Sequence, residues 1–377
     1  MLAPPAGVTT GEAPEHASLL DAARRVAAEV LAPAAEDTDR AAVVPSDHLD
    51  VLARAGLDGL AAPAEVGGAD APPTVARDVY QALAGACGVT FFVWVQHHAP
   101  VRMLAASANG GLRDRWLSRL SSGDVLGGVA FAYLRRPGPP AVVARRVAGG
   151  WIVDGEAPWV TSWGLAGLFA VAARISGDGP VLFFALVPDG ASATVGASAP
   201  LALAAMAASS TVRLRFDGCF VTDDDVISTV DIALWHERDR VATAQPHPAA
   251  LGVAATAIRL LRLRADQTGQ PAVSGAARSL AAELDDCRLR SYRLADEGRA
   301  DDDHLARLVS ARAWGLDVAA RSAQALVAAT GGGAMALADP AQRLVREAAF
   351  WSIQAQTAAL RAATLGRVAK PQPPATS

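Results

Sequence analysis

Lysine is almost missing from this chain of 377 residues: Lys370 is the only one, and arginine carries nearly all of the positive charge. That bias has no functional reading. Charge of one sign is not in excess either, and a net charge of −4 excludes the basic footprint of a nucleic-acid or anionic-membrane binder. Cysteine is scarce, with Cys87, Cys219 and Cys287 far apart and odd in number. Neither a disulfide framework nor a metal spacing can be made from them, which points to a reducing cytoplasm. No apolar run reaches the roughly 18–20 residues of a membrane span, and Met1–Pro14 lacks the basic-then-apolar order of a signal peptide.

What the chain does have is alanine within a 51% hydrophobic fraction, a composition suited to close-packed helices. The length exceeds one ordinary domain, so two or three units are expected. Positive mean hydropathy without a span suggests surface hidden between subunits. After a loose arm ending near Glu15, apolar residues recur at helical spacing over Ser18–Ala35, Thr74–Ala86, Thr90–Ala106 and Leu112–Leu120. From Val125 the period changes to short β-rich runs: Val125–Leu134, Val142–Val147, Trp151–Val153, Leu168–Ala173, Val181–Val187 and Thr211–Phe216. Gly149-Gly150 and Asp154-Gly155 read as hairpin turns between them, and the set predicts a small antiparallel barrel or sandwich. Past Asp231 the helical period returns over Val253–Asp266, Ser274–Asp296, Asp302–Ala329 and Pro340–Val368, a four-helix bundle. The layout is a segregated α+β one, with a helical domain over 1–124 (1–15 an arm), a β domain over 125–228 and a helical bundle over 229–377.

Three stretches are specific in order and spacing. The first is Leu112 to Gly123, a helix closed by Ser121-Ser122-Gly123. In the middle stand Ala157-Pro158-Trp159-Val160-Thr161-Ser162-Trp163-Gly164 and Thr211 to Val221. Near the end come Thr330-Gly331-Gly332-Gly333, Asp339-Pro340, Arg343 to Ala348 and Ile353 to Thr357. Together they resemble the acyl-CoA dehydrogenase family from about Ser18 to Val368. The resemblance implies a flavin, FAD with FMN or none as alternatives. Thr161 would offer a hydroxyl to the flavin N5 edge, and Trp159 would pack on the ring. Taken alone, both residues read as ordinary strand-end residues. The family's glycine pair falls at Gly331 and Gly332; it is not a phosphate fingerprint, because no strand precedes it.

The departures are as informative. Where the family reads Thr-Glu-Pro-Gly-x-Gly-Ser-Asp to hold flavin and thioester, this chain has Leu134-Arg135-Arg136-Pro137-Gly138-Pro139-Pro140. The prolines have no N–H for an anion, so Arg135 and Arg136 would supply charge as side chains instead, with Leu134 and Arg135 the cofactor contacts the match implies; two solvated arginines on a turn is the equal alternative. The family's arginine turn is matched only by Arg264 to Gly269, one place off. The catalytic glutamate, which must take the substrate α-proton, is replaced by Ala355. The earlier helix where some members carry that base has no carboxylate over Thr243–Pro246; Glu237 and Asp239 are nearby, with a helix-start charge as their default reading. His97 and His98 lie in the apolar run where the family places a helix bordering the substrate cavity, and one of them can face it and relay a proton. They point about 100° apart, and the alternative is a histidine hydrogen-bonded within a helical interface.

Two functions lead, ahead of ordinary acyl-CoA dehydrogenation, which the missing base ranks last. One is a flavin oxidoreductase acting on a small organic or acyl substrate without the usual base, as a monooxygenase or an atypical dehydrogenase with His97, His98 or Glu237 as candidate catalytic groups. The other is a degenerate subunit of a heteromer. The expected assembly is a homodimer, a homotetramer or a heteromer with a related subunit.

Overall fold

The computed structural model describes residues 14–176, 179–188 and 193–369. Most of the expected arm and Lys370 lie outside them. The α-helices α1 (Pro14–Val26), α2 (Ala32–Arg40), α3 (Ser46–Arg54), α4 (Pro73–Ala86), α5 (Gly88–Val95), α6 (His98–Ala105) and α7 (Gly110–Ser121) come first. Residues Ala27–Leu31 form a π-helical turn between α1 and α2. The apolar run Thr90–Ala106 is not one helix: it breaks at Gln96-His97 into α5 and α6.

Strands β1 (Gly127–Ala130), β2 (Val142–Val147), β3 (Gly150–Val160), β4 (Leu168–Ile175), β5 (Val181–Leu186), β6 (Val195–Ala197), β7 (Val212–Thr222) and β8 (Val226–Val230) form one sheet. Its order is β6-β7-β3-β2-β4-β5-β8, with β1 paired to β4. Pairing is antiparallel except that β1 and β2 both run parallel to β4. Gly149 turns the β2–β3 hairpin at φ 74°, as expected. Asp154-Gly155 does not turn the chain; it is a bulge inside β3, where the register to β7 shifts. Gly155 has φ 125°, and a Cβ there would lie 2.2 Å from the Ala141 carbonyl oxygen. A sequence window cannot tell this from a hairpin, because the reason for the glycine lies on the neighbouring strand.

Helices resume with α8 (Ile232–Ala244), α9 (Pro248–Thr268), α10 (Pro271–Asp296) and α11 (Asp302–Thr330). The expected fourth bundle helix is two, α12 (Pro340–Ile353) and α13 (Ala358–Val368). The break carries Ala355 at φ 51°, a left-handed conformation that no helix continues through.

Among the described residues two large cores and a small third one, around Ala244, Leu294, Leu305 and Leu308, hold this together. Helices from both ends of the chain share one, with Trp94, Trp351, Leu83 and Leu251 fully enclosed. The sheet packs on α6 and α7 in the other, around Phe169, Phe184, Leu104 and Leu120. The ends meet most closely where α4 crosses α9: a Cβ on Gly252 would stand 2.4 Å from the Gln81 carbonyl oxygen. Two ion pairs tie α12 to α2, Arg343 to Glu36 at 3.0 Å and Arg346 to Asp39 at 2.5 Å.

Candidate cofactor and active site

The end of β3 is strained. Trp159 (φ 60°) and Ser162 (φ 70°) adopt left-handed conformations, and so do Met206 (φ 59°) and Ser210 (φ 50°) in the facing loop before β7. Each costs about 1–3 kcal/mol and persists only where the surroundings impose it, commonly at ligand sites. The two segments are stitched together: the Ser162 N–H donates to Ser209 O at 2.9 Å and the Trp163 N–H to Ser210 O at 3.2 Å. The Ser210 hydroxyl donates to Trp163 O at 2.6 Å. Trp159 sits in the bulge between Ala157 and Val160, and its indole is turned out of the core, 49% exposed.

Beneath it runs a buried chain of hydroxyls. Thr161 Oγ1 pairs with Thr211 Oγ1 at 3.1 Å, and Thr211 Oγ1 with Ser209 Oγ at 2.8 Å. Three hydroxyls linked by two bonds retain one proton to donate elsewhere. Ser162 Oγ is buried and meets no partner at all. Thr211 lay in a recognised motif, but nothing in the spacing joined it to Thr161 or revealed Ser162.

The other expected contacts are differently engaged. Leu134 is buried in a 3₁₀ turn, its N–H donating to Phe131 O at 3.0 Å. Arg135 grips Asp239 in a bidentate pair at 2.6–3.1 Å. Gly331 and Gly332 are exposed at the end of α11, and Gly331 adopts φ 71°, ψ −146°, a region open only to glycine. Arg264 donates to Thr330 O at 3.3 Å, just before that turn.

Both histidines are enclosed. The Gly127 N–H donates to His97 Nδ1 at 2.9 Å, so Nε2 carries the ring proton and donates to Asp58 O at 3.2 Å. Burial lowers the His97 pKa to about 4. His98 is fully buried against Tyr80 and Trp94, and burial drives its pKa well below the usual value. Among the described residues, neither His98 nitrogen meets a partner. Glu237 is exposed and paired with Arg240 at 2.9 Å, as a solvated helix face requires. It shares no contact with the Trp159–Thr211 region.

The turn carrying Ala355 is built on Arg312, which sequence reading did not single out. Its buried guanidinium donates to Thr243 O at 2.8 Å and Gln354 O at 3.1 Å, bridging the C-terminal ends of α8 and α12. Burial, then repulsion from Arg135, lowers its pKa to about 10. His247 Nε2 meets Gln354 Oε1 at 3.2 Å. Phe92, Phe350, Trp351 and His247 pack together at the α12 end, with Phe92 and Phe350 ring centres 4.6 Å apart. No group of side chains among the described residues could hold a metal ion.

Helices on both sides of one sheet make the acyl-CoA dehydrogenase fold. Residues 13–124 match the family described as acyl-CoA dehydrogenase, N-terminal domain. Benzylmalonyl-CoA dehydrogenase of Aromatoleum aromaticum is 27% identical over 218 residues, 57% of this chain and 57% of that relative, so this match spans little more than half of either. The mitochondrial 2-methylacyl-CoA dehydrogenase of Solanum tuberosum is 25% identical over 91% of this chain and 87% of its own length. Butyryl-CoA dehydrogenase from Megasphaera elsdenii superposes with a TM-score of 0.80 at 18% identity, covering 96% of this chain and 100% of its own. The FAD complex of PigA does so with 0.80 at 17%, covering 96% and 99%. In sequence the chain matches that family through its N-terminal domain, and it has the acyl-CoA dehydrogenase fold along nearly its whole length. Among the described residues, no helix is long and apolar enough to cross a membrane.

Proposed function

We propose that this chain is a flavin-dependent oxidoreductase acting on a small organic or acyl substrate by a route that does not use the family's carboxylate base. FAD is the favoured cofactor, and a bound flavin supplies the acceptor or donor of an electron pair. The observation that carries the reading is the outward, left-handed Trp159 beside a buried hydroxyl chain with one proton to spare. Trp159 would pack on the ring, and Thr161 would pass the spare proton's hydrogen bond to the N5 edge. Ser162, buried without a partner, fits a polar ligand atom brought to the same edge. Arg135 is committed to Asp239, so it contributes shape more than charge.

The same geometry argues against standard α-proton abstraction. Ala355 presents a methyl group, Asp239 is locked by Arg135, Glu237 is paired in solvent, and both histidines are enclosed. A monooxygenase or an atypical dehydrogenase remains. The test is the visible absorbance of the purified protein: flavin bands are expected, and a colourless protein that takes up neither FAD nor FMN would end the proposal.

A second reading is a redox-inactive subunit of a heteromeric complex. It is favoured by the close packing of Phe92, Phe350, Trp351 and His247 at the end of α12, which Ala355 follows. A companion chain co-purifying from the native host would support it; turnover by the isolated homo-oligomer would count against it. Either assembly suits the apolar residues Met335, Leu337, Ile353, Leu365 and Val368, which are 60–72% exposed around α12 and α13. Homodimer, homotetramer and heteromer all offer them cover. The buried thiols Cys87 and Cys287 accord with a cytoplasmic setting.

A further inference from the structure

Away from the Trp159 region, a cleft lies between α1, α4 and α9. It consists of two adjoining cavities of about 320 Å³ and 230 Å³ that share Arg24, Ala82, Gly85 and Thr256 as lining. Its floor is low because α4 and α9 cross through Gly85 and Gly252, where no Cβ fits, and because alanines flank that crossing. One wall holds Ala27 and Ala28 of the π-helical turn. Such turns are rare and recur at functional positions.

The rim is cationic. Among the described residues Arg259 and Arg288 have no ion pair, and Arg24 meets only Asp21, at 3.5 Å with both side chains exposed. Of the lining carboxylates, Glu36 is taken by Arg343 at 3.0 Å, and Asp78 lines only the smaller cavity, on the Arg288 side. The larger cavity therefore combines an alanine trough, closed by Leu260, with the unpaired charge of Arg259 and the charge of Arg24, which only the exposed Asp21 meets. Its volume falls at the lower end of the range for small-molecule sites.

We propose that this cleft binds an amphiphilic organic anion, in its simplest form a medium-chain carboxylate. The carboxylate would meet Arg24 and Arg259 at the rim, and the alkyl chain would lie along Ala28, Ala82 and Leu260. A charge-assisted contact at the rim gives orientation, and the trough gives length selectivity. The site is separate from the flavin reading, and its test reads no redox signal.

Decanoate is titrated into the whole purified protein by calorimetry, with decanol and inorganic phosphate as separate arms. Saturable one-site decanoate binding is expected, with decanol and phosphate each binding at least tenfold more weakly. Arg24→Gln with Arg259→Gln should weaken decanoate about tenfold or more, and Ala82→Phe should block it by filling the floor. The double arginine variant alters only surface charge, so it decides the matter even where Ala82→Phe fails to fold. Unchanged decanoate affinity in that variant, decanol binding as tightly as decanoate, or phosphate displacing decanoate at equal concentration would each overturn the proposal.

Discussion

Ser162 offers the sharpest test of the cofactor reading, because its two roles pull in opposite directions. Its hydroxyl is completely buried and has no partner, and such a group costs about 1–3 kcal/mol. Ser162→Ala removes that cost and leaves the backbone strain as it was, since serine and alanine carry the same Cβ at φ 70°. The small void left by one oxygen takes back part of the gain. Flavin-free Ser162→Ala should therefore be more stable than the parent by about 1 kcal/mol. Thr161→Val should act the other way, because it strips Thr211 of one of its two hydroxyl partners; one buried hydrogen bond amounts to about 1 kcal/mol. With FAD present the two variants should converge, each losing a bond to the cofactor edge and so about five- to tenfold in affinity. Urea denaturation of the flavin-free protein, followed by fluorescence titration with FAD, separates the contributions. A flavin-free Ser162→Ala protein less stable than the parent would show that the hydroxyl is already satisfied. Unchanged FAD affinity in both variants would remove Thr161 and Ser162 from the cofactor's edge.

Other consequences are more direct. Gly155→Ala places a Cβ 2.2 Å from Ala141 O at φ 125°, so a loss of about 3 kcal/mol or more is expected in urea denaturation; a loss under about 1 kcal/mol would refute the bulge geometry. Burial raises the Asp58 pKa from 3.8 to about 6, against the Trp94 N–H that holds its carboxylate at 2.6 Å. Between those values the native state holds a proton that the unfolded state has lost, so this group makes stability fall with rising pH by about 3 kcal/mol in total. His97, lowered from 6.5 to about 4, acts in the opposite sense over nearly the same window. Asp58→Asn should thus steepen the rise in stability between pH 4 and 6 by about one proton, and an unaltered slope in denaturation across that range would contradict the assignment. Ala355→Glu supplies a carboxylate at the position where the family carries its base, and on the proposed reading anaerobic flavin reduction by acyl-CoA should rise about 10²- to 10⁴-fold; no rise with flavin bound would refute Ala355 as the missing base.

The shift in hydrophobic period at Val125 and again past Asp231 was enough to separate helices, sheet and helices, because each element buries a face that its own spacing displays. Trp159 and Thr161 stand out for a similar reason: they belong to a motif of sequence neighbours. What escaped notice depends on residues far apart along the chain. Asp154-Gly155 looks like a turn until the Ala141 carbonyl is seen against Gly155. The apolar stretch Pro340–Val368 looks continuous until Arg312 is found holding Gln354 O. His97 looks like a candidate proton relay until the backbone of Asp58 and Gly127 takes both its nitrogens. In each case the deciding partner is a backbone atom or a charge 14 to 42 positions away, from Gly155 and Ala141 to Arg312 and Gln354. Local composition cannot encode such a partner, and the side-chain alphabet at either end is not unusual. The same reasoning applies to the end of α12: Ala355 is read from one position, whereas the Phe92–Trp351 contact beside it joins helices from opposite ends of the chain.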